Sequence, residues 1–330
     1  MKQGFHRLAI VAALLAFCVI VLGAYVRLSD AGLGCPDWPG CYGKLTWPVQ
    51  DADVQIANEA FPERPVETHK AWKEMAHRYL AGALVLMVVA LNWLAWRSRG
   101  PARNLRGKTT ALFVLIIFQA ALGMWTVTLK LLPIIVMGHL LGGMATLGLL
   151  IWIIYDSRYT SGYRSGPQLR AVRPLVLTAL TVLVLQIALG GWTSANYAAM
   201  VCPDFPTCQG EMWPNSNFRE GFTVSRDIGV DFEGGVLDLP SRTAIHVTHR
   251  IGAVITLIVL LYTGFRLTRI ATVQRIGILL VALVSAQFLL GVLNIVLRLP
   301  LANAVAHNGV AALLLAVLVG LVYRTSPAHR

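Results

Sequence analysis

Residues 131–155 read LLPIIVMGHLLGGMATLGLLIWIIY, a run without a single charged side chain. An apolar stretch of about 18 residues or more is long enough to cross a bilayer as a helix. Six further segments are equally apolar and long: 8–26, 79–96, 109–129, 174–200, 276–297 and 299–323. A seventh, 251–265, is shorter and reaches spanning length once residues 243–250 are included. The sequence therefore predicts an all-α membrane protein with eight transmembrane helices.

The overall composition agrees with this prediction. Of 330 residues, 56% are hydrophobic and 13% are charged, whereas a soluble domain carries roughly 25% charged residues. The first run follows Lys2 and Arg7 and so resembles a signal peptide, but it is long for one, and residues 27–30 form no small-residue cleavage site. We interpret it as a retained first helix, whose Cys18 we expect in the core.

The charge distribution predicts the topology. Eight spans place both termini and the loops 97–108, 156–173 and 266–275 on one side, which carries 16 of the 28 Lys and Arg residues and a single acid, Asp156. Because basic loops stay in the cytoplasm, we expect both termini there, in a bacterial inner membrane. The net charge of +12 is therefore a topology signal and does not indicate nucleic-acid binding.

Two parts of the chain follow the same plan. Cys35-Pro-Asp-Trp-Pro-Gly-Cys41 resembles Cys202-Pro-Asp-Phe-Pro-Thr-Cys208, each motif precedes a Trp-Pro pair, and similar helix segments follow in the same order. We predict two tandem four-helix bundles, residues 1–157 and 174–330, joined by a linker at 158–173. An even number of helices per repeat implies a pseudo-two-fold axis along the membrane normal.

Four of the eight histidines recur with this repeat: His77 with His249, and His139 with His307. The first of each pair is expected to open its helix, and the second lies roughly 10 Å below the outer surface. Ionisable groups inside a span are costly and mark function, and haem iron takes an imidazole on each face. The alternatives are histidines that only bond between helices, and a zinc site, for which further ligands are not evident.

The residues next to the histidines differ between the two parts. Glu74 lies three residues before His77, whereas His246 holds that position before His249. A carboxylate beside a haem can move protons, so we assign chemistry to the first half and an electron-transfer haem to the second. An ordinary interfacial acid is the alternative. Arg78 and Arg250 are expected either to pair with haem propionates or to extend to the membrane interface.

The remaining polar residues receive simpler predictions. Cys35 with Cys41 and Cys202 with Cys208 face the oxidising side, so we expect two intraloop disulfides; a structural role is favoured over a redox one. His69 is expected to be exposed near the first site, without an assigned role. His6 and His329 also lack a partner in the repeat. The three intramembrane glutamines, Gln119, Gln186 and Gln287, are expected to form hydrogen bonds between helices.

Taken together, these residues resemble those of the haem A synthase family. The residues that carry the resemblance, which covers nearly the whole chain, are Glu74-Met-Ala-His77-Arg78, His139, His249-Arg250, His307 and the two cysteine loops. The resemblance implies oxidation of the C8 methyl of haem O to the formyl group of haem A by successive hydroxylations, for cytochrome oxidase. It also implies haem O as substrate at His77 and His139, with catalytic Glu74, and haem b as cofactor at His249 and His307.

Several alternatives remain open on the sequence. A di-haem b electron carrier linked to quinol explains the histidines but not the difference between Glu74 and His246. A haem transporter or chaperone would use both sites in transit, and a thiol oxidoreductase would leave the histidines unexplained. Membrane lipid is an expected partner, haem O synthase and other oxidase assembly factors are compatible ones, and a homo-oligomer and the final electron acceptor stay open.

Overall fold

A computed structural model describes residues 2–99, 101–158 and 165–327. Eight helices in this part of the chain are long and apolar enough to span a membrane, which confirms the predicted number. In chain order the helices are α1 (Lys2–Leu28), α2 (Asp51–Ala60), α3 (Thr68–Arg97), α4 (Arg106–Thr128), α5 (Pro133–Arg158), α6 (Pro167–Ala171), α7 (Arg173–Ala195), α8 (Phe218–Gly221), α9 (Leu239–Thr268), α10 (Gln274–Val296) and α11 (Leu301–Thr325), with a 3₁₀ turn at Pro101–Leu105.

The helices α3 and α9 begin earlier than their hydrophobic runs. They start at Thr68 and Leu239, so His77 and His249 lie well inside them, and the expectation that these histidines open their helices was wrong. The polar first turns are helical because local contacts hold them. Lys70 bonds Glu67 at 2.8 Å, and the Asp238 carboxylate caps α9 by accepting the Ser241 N–H at 3.0 Å.

The helix faces divide between lipid and protein. Large apolar side chains such as Leu14, Leu86, Val114 and Ile258 are exposed around the bundle, as expected of a surface that contacts lipid chains. Cys18 is also exposed, so the expectation that it lies in the core was wrong. Small residues such as Ala12 and Ala16 form the buried face of α1 instead, and Cys18 falls on the opposite face.

The helices repeat the same pattern of neighbours. In residues 1–157, α1 contacts α3 and α5, and α4 contacts α3 and α5; α7, α9, α10 and α11 show the same cycle. Between the two groups α5 packs on α11, α1 on α11, and α7 on α5. These contacts are those expected of a pseudo-two-fold axis between α5 and α11. The duplication and the boundaries at 157 and 174 stay predictions, and residues 159–164 of the linker lie outside the described part.

The two cysteine motifs fold alike at one end of the bundle, which we call the loop side. Both predicted disulfides, Cys35–Cys41 and Cys202–Cys208, are present. In each loop one aspartate accepts two backbone N–H groups: Asp37 from Tyr42 and Gly43, and Asp204 from Gln209 and Gly210. Hydrogen bonds, above all from the Thr207 hydroxyl, lower the pKa of Asp204 to about 2.

Ionic contacts join the loops of the two halves. Arg64 pairs with Asp231 and, at 2.5 Å, with Glu233. The Phe232 N–H donates to the Lys130 carbonyl at 3.0 Å. The loops therefore form one continuous cover over the loop side of both bundles, and the space beneath them holds the candidate site.

Candidate functional site

One large cavity occupies the loop-side half of the bundle. Its volume is about 1610 Å³, and side chains from both halves line it. Sites for drug-sized ligands usually measure about 300–1,000 Å³, so this space is large enough for two such ligands. Toward the opposite end, Trp152 meets the ring of Tyr323 edge-on, Tyr155 lies beside Tyr323, and a smaller apolar pocket of about 390 Å³ is lined by Trp152 and its neighbours.

The first histidine pair faces across this cavity. The ring centroids of His77 on α3 and His139 on α5 lie 6.5 Å apart, and the rings are nearly perpendicular. A metal binds an imidazole nitrogen at about 2 Å and the ring centroid lies roughly 1 Å further back, so two axial imidazoles hold their centroids about 6 Å apart. The spacing of this pair fits an iron porphyrin between them.

The second pair occupies the equivalent place. His249 on α9 and His307 on α11 line the same cavity and are close enough to interact electrostatically. The Nδ1 atoms of His77, His139 and His307 are buried and have no hydrogen-bond partner among the described residues. Buried polar atoms are normally satisfied, so an unpaired imidazole nitrogen in each half indicates a missing partner such as a metal.

A zinc-type cluster does not compete for these residues. Within the described ranges no group of three or more His, Cys, Asp or Glu side chains is placed to hold a metal ion. A haem needs only two protein ligands, because the porphyrin supplies the others. The spacing of His77 and His139 therefore fits a haem, and His249 and His307 offer the same two ligand types to the cavity in the second half.

A glycine supports each of the four histidines, which the sequence reasoning missed. A Cβ added at Gly23 would lie 3.0 Å from Cε1 of His77, and at Gly123 3.3 Å from Cε1 of His139. A Cβ added at Gly190 would lie 3.2 Å from Cε1 of His249, and one added at Gly291 would lie 3.2 Å from Cε1 of His307. Each glycine lies on the membrane-spanning helix that precedes the one carrying the histidine. A side chain at the glycine position would therefore displace the imidazole ring. The sequence signal that could have revealed these glycines is that Gly23 and Gly123 recur in the second half as Gly190 and Gly291.

Glu74 lies beside the first pair only. Its residue is 5% exposed and lines the cavity one turn from His77. The Cys35 N–H donates to Oε2 at 2.9 Å, and Arg78 forms an ion pair with Oε1. The carboxylate is therefore fixed by its own helix and by the first cysteine loop. Each oxygen keeps a further lone pair for a proton or water.

The two predicted propionate arginines hold the cysteine loops. Arg78 donates to the carbonyls of Asp37, at 2.9 Å, and Gly40. Arg250 donates to the carbonyls of Thr207 and Cys202 at 2.8 and 2.9 Å. Both arginines also line the cavity, and Nε of Arg250 has no partner in the described structure. A propionate contact stays a proposal for the atoms that the loops do not use.

The other histidines differ in where they lie relative to the cavity. His246 is 5% exposed and lines the cavity in the place of Glu74, beside the Ala198 backbone. His69 is exposed and absent from the cavity lining, with its nearest carboxylate, Glu67, at 3.9 Å. His6 contacts the Ser157 hydroxyl at 2.8 Å, at the end remote from the loops. His329 lies outside the described residues.

The three intramembrane glutamines bond between helices, as expected, and their partners are the histidine residues. Gln119 donates to the His139 carbonyl at 3.0 Å. Gln186 lies 3.0 Å from both the carbonyl and Nδ1 of His249, and Gln287 lies 3.2 Å from Nε2 of His307. Their amides therefore fix the orientation of the helices or rings that carry the candidate ligands.

Comparison with known proteins identifies the family of the chain. Residues 6–319 match the family model described as Cytochrome oxidase assembly protein, COX15-CtaA. The chain is 46% identical to "Heme A synthase" of Shewanella oneidensis, with 92% of both chains covered. It is 28% identical to the proteins of that name from Novosphingobium aromaticivorans, covering 93% of this chain and 90% of the relative, and Caulobacter vibrioides, covering 95% and 94%. The chain therefore belongs to the cytochrome oxidase assembly protein family, COX15-CtaA.

Proposed function

We propose that this protein is a haem A synthase, which oxidises the C8 methyl of haem O to a formyl group. The observation that carries the proposal is the pair of imidazoles at 6.5 Å in a membrane cavity, with a buried carboxylate beside it. Relatives bearing the name Heme A synthase over nine-tenths of the chain support the same activity.

In the first half, His77 and His139 would bind the haem O substrate through its iron. This ligation fixes the macrocycle between α3 and α5, so one edge of it lies at a defined position in the cavity. With water as the source of the formyl oxygen, oxidation of a methyl to a formyl group (R–CH3 + H2O → R–CHO + 4 H⁺ + 4 e⁻) releases protons and electrons in equal number, and the electrons pass to an acceptor outside the chain. Glu74 lines the cavity one turn from His77, and its carboxylate would accept these protons one at a time and pass them to water.

The second half would hold haem b between His249 and His307. A bound haem supplies one-electron redox chemistry, which the side chains lack, so it can take up electrons that leave the substrate. The amide of Gln186 contacts Nδ1 of His249. The same amide nitrogen also donates to the His249 carbonyl, so Gln186 holds the residue in position, which suits a resident cofactor. The equivalent position on α1 is Val19, whose backbone is the neighbour of His77.

The first cysteine loop would position the catalytic carboxylate. It donates the Cys35 N–H to Glu74, and its carbonyls hold the Arg78 guanidinium that pairs with Glu74. In the second loop Arg250 makes the same kind of carbonyl contacts, but His246 replaces the acid. The disulfides would therefore have a structural role that extends to the site.

The remaining parts of the proposal concern location and partners. We propose a bacterial inner membrane with both termini in the cytoplasm and the loop side outside, on the charge distribution of the loops. A farnesylated haem O partitions into lipid, so haem O synthase is a compatible neighbour that would deliver the substrate within the bilayer.

The decisive experiment is coexpression with haem O synthase, followed by extraction and chromatography of the haems. Haem A and its hydroxylated precursor are expected with the wild-type chain and absent with Glu74→Gln. Glu63, an exposed acid of the first loop, provides the control, since Glu63→Gln should leave product unchanged. Absence of both products with the wild-type chain would overturn the enzymatic proposal, and unchanged product with Glu74→Gln would overturn the role of Glu74.

A further inference from the structure

Three polar groups at the loop-side end of the cavity have no partner. They are Nε of Arg27, the Tyr197 hydroxyl and Nε of Arg242; all are buried, and no described residue bonds them. All three residues line the cavity. Leaving a buried donor unpaired is costly, so such groups normally meet a ligand or another residue. Two of the three are cationic, so the ligand that satisfies them is an anion.

Arg27 reaches from the first half into the second. It lies one turn beyond Gly23 on α1, and its Nη2 donates to the Ser194 carbonyl on α7 at 2.7 Å. Its guanidinium lies 4.1 Å above the centre of the Tyr197 ring. The nearest acid, Asp30, is 3.8 Å away and its side chain is 60% exposed, so it neutralises the arginine only weakly.

Arg242 shares a helix face with the second histidine pair. Arg242, His246 and His249 follow one another at spacings of four and three residues on α9, so Arg242 lies about 10 Å beyond His249 toward the loop side. His246 contacts the Ala198 backbone, next to Tyr197. Arg27 and Tyr197 therefore lie together, and Arg242 lines the same cavity above the second histidine pair.

In the first half Arg78 lines the cavity but is paired with Glu74 and with loop carbonyls, and no described cation takes the place of Arg242. Lys70, Glu74 and His77 repeat the spacing of Arg242, His246 and His249, but the Lys70 ammonium is bonded to Glu67 at 2.8 Å and is absent from the cavity lining. The anion site is therefore specific to the second half. A haem bound there through its iron and through its carboxylates would be held at two places.

We propose that Arg27, Tyr197 and Arg242 form a binding site for the carboxylates of the haem held by His249 and His307. The proposal rests on the haem function proposed above. The guanidinium Nε–H groups and the Tyr197 hydroxyl would each donate a charge-assisted hydrogen bond to an ionised carboxylate. Because Arg27 belongs to α1, the resident haem in the second half is bound by residues of both halves.

The test compares haem b with haem b dimethyl ester, whose carboxylates carry no charge. The full-length protein with His139→Ala, which disables the first pair, is prepared without haem in detergent and titrated with each compound by Soret absorbance. We expect the free acid to bind about 10- to 100-fold more tightly than the ester. Arg27→Met and Arg242→Met should each reduce this preference by about tenfold and leave ester binding unchanged.

Controls separate this proposal from the one on which it rests. Arg219, an exposed residue of α8, supplies the matched control, and Arg219→Met should keep the full preference. Binding of neither compound by the His139→Ala protein overturns the haem site and this proposal with it. Equal binding of acid and ester overturns the carboxylate site alone, and so does a preference that survives in both Met variants.

A variant that takes up neither compound is resolved by the corresponding lysine. Arg27→Lys and Arg242→Lys keep a positive charge, so they should restore uptake together with part of the preference for the free acid. Restored uptake without any preference contradicts the proposal, because the charge would then have no role in selecting the ligand.

Discussion

Replacement of Gly190 by alanine separates haem binding from protein stability. An added Cβ would lie 3.2 Å from Cε1 of His249, tighter than ordinary van der Waals contact. The imidazole must then move by a few tenths of an ångström. Disturbing the support of a metal ligand typically costs about 10- to 100-fold in affinity, so we expect haem affinity to fall by about tenfold.

The same substitution should not destabilise the helix. Gly190 lies within α7, where alanine is favoured over glycine by about 1 kcal/mol. The thermal midpoint of the haem-free protein is therefore expected to stay equal or to rise while haem retention falls. The assay is the ratio of haem to protein after purification, together with a Soret titration and a thermal melt of the haem-free form.

A matched control is available in α4. A Cβ at Gly107 meets nothing within 4 Å, so Gly107→Ala should leave both quantities close to those of the wild type. Unchanged haem affinity in Gly190→Ala would refute the reasoning. A lowered thermal midpoint would also count against it, because the glycine would then serve helix packing rather than the position of the imidazole.

Three further predictions follow from the same contacts. Cys41→Ser should lower haem A formation in the coexpression assay but keep the resident haem spectrum, because the loop that fixes Glu74 is loosened; full activity would reduce the disulfide to a scaffold. Gln186→Leu should weaken haem binding by roughly tenfold, measured by Soret titration, because it removes the contact with His249; an unchanged affinity would contradict this. Arg64→Ala should lower the free energy of unfolding by only about 0–1 kcal/mol in a denaturant titration, since its acid partners Asp231 and Glu233 are solvated; a much larger loss would show that the loop cover is a main stabilising contact.

The sequence predicted the number of spans because seven apolar runs reach the length of about 18 residues that a spanning helix needs, and the run at 251–265 reaches it together with residues 243–250. It did not predict where α3 and α9 begin. Hydropathy registers where charge ends, at residues 79 and 251, whereas the helices continue outward to Thr68 and Leu239 with polar turns. Hydrogen bonding within those turns is a local property that the hydrophobic count does not measure.

The candidate ligands were also available in the sequence, because histidines that recur inside apolar runs are rare. The glycines behind them were not recognised, since the contact between Gly23 and His77 joins α1 to α3 and depends on how the helices pack. The arginines show the same limit. Arg78 follows a ligand in sequence, yet its guanidinium turns to the loop carbonyls, whereas Arg27 reaches the cavity from a position that no motif marks.

The measurement that tests the central claim most directly is the absorbance spectrum of the purified chain with each histidine pair replaced in turn. The account predicts that His249→Ala with His307→Ala removes the spectrum of the resident six-coordinate haem, whereas His77→Ala with His139→Ala keeps that spectrum and abolishes haem A formation. A full resident spectrum in the first double variant would contradict the account, because the haem would then be bound without the two imidazoles that define the site.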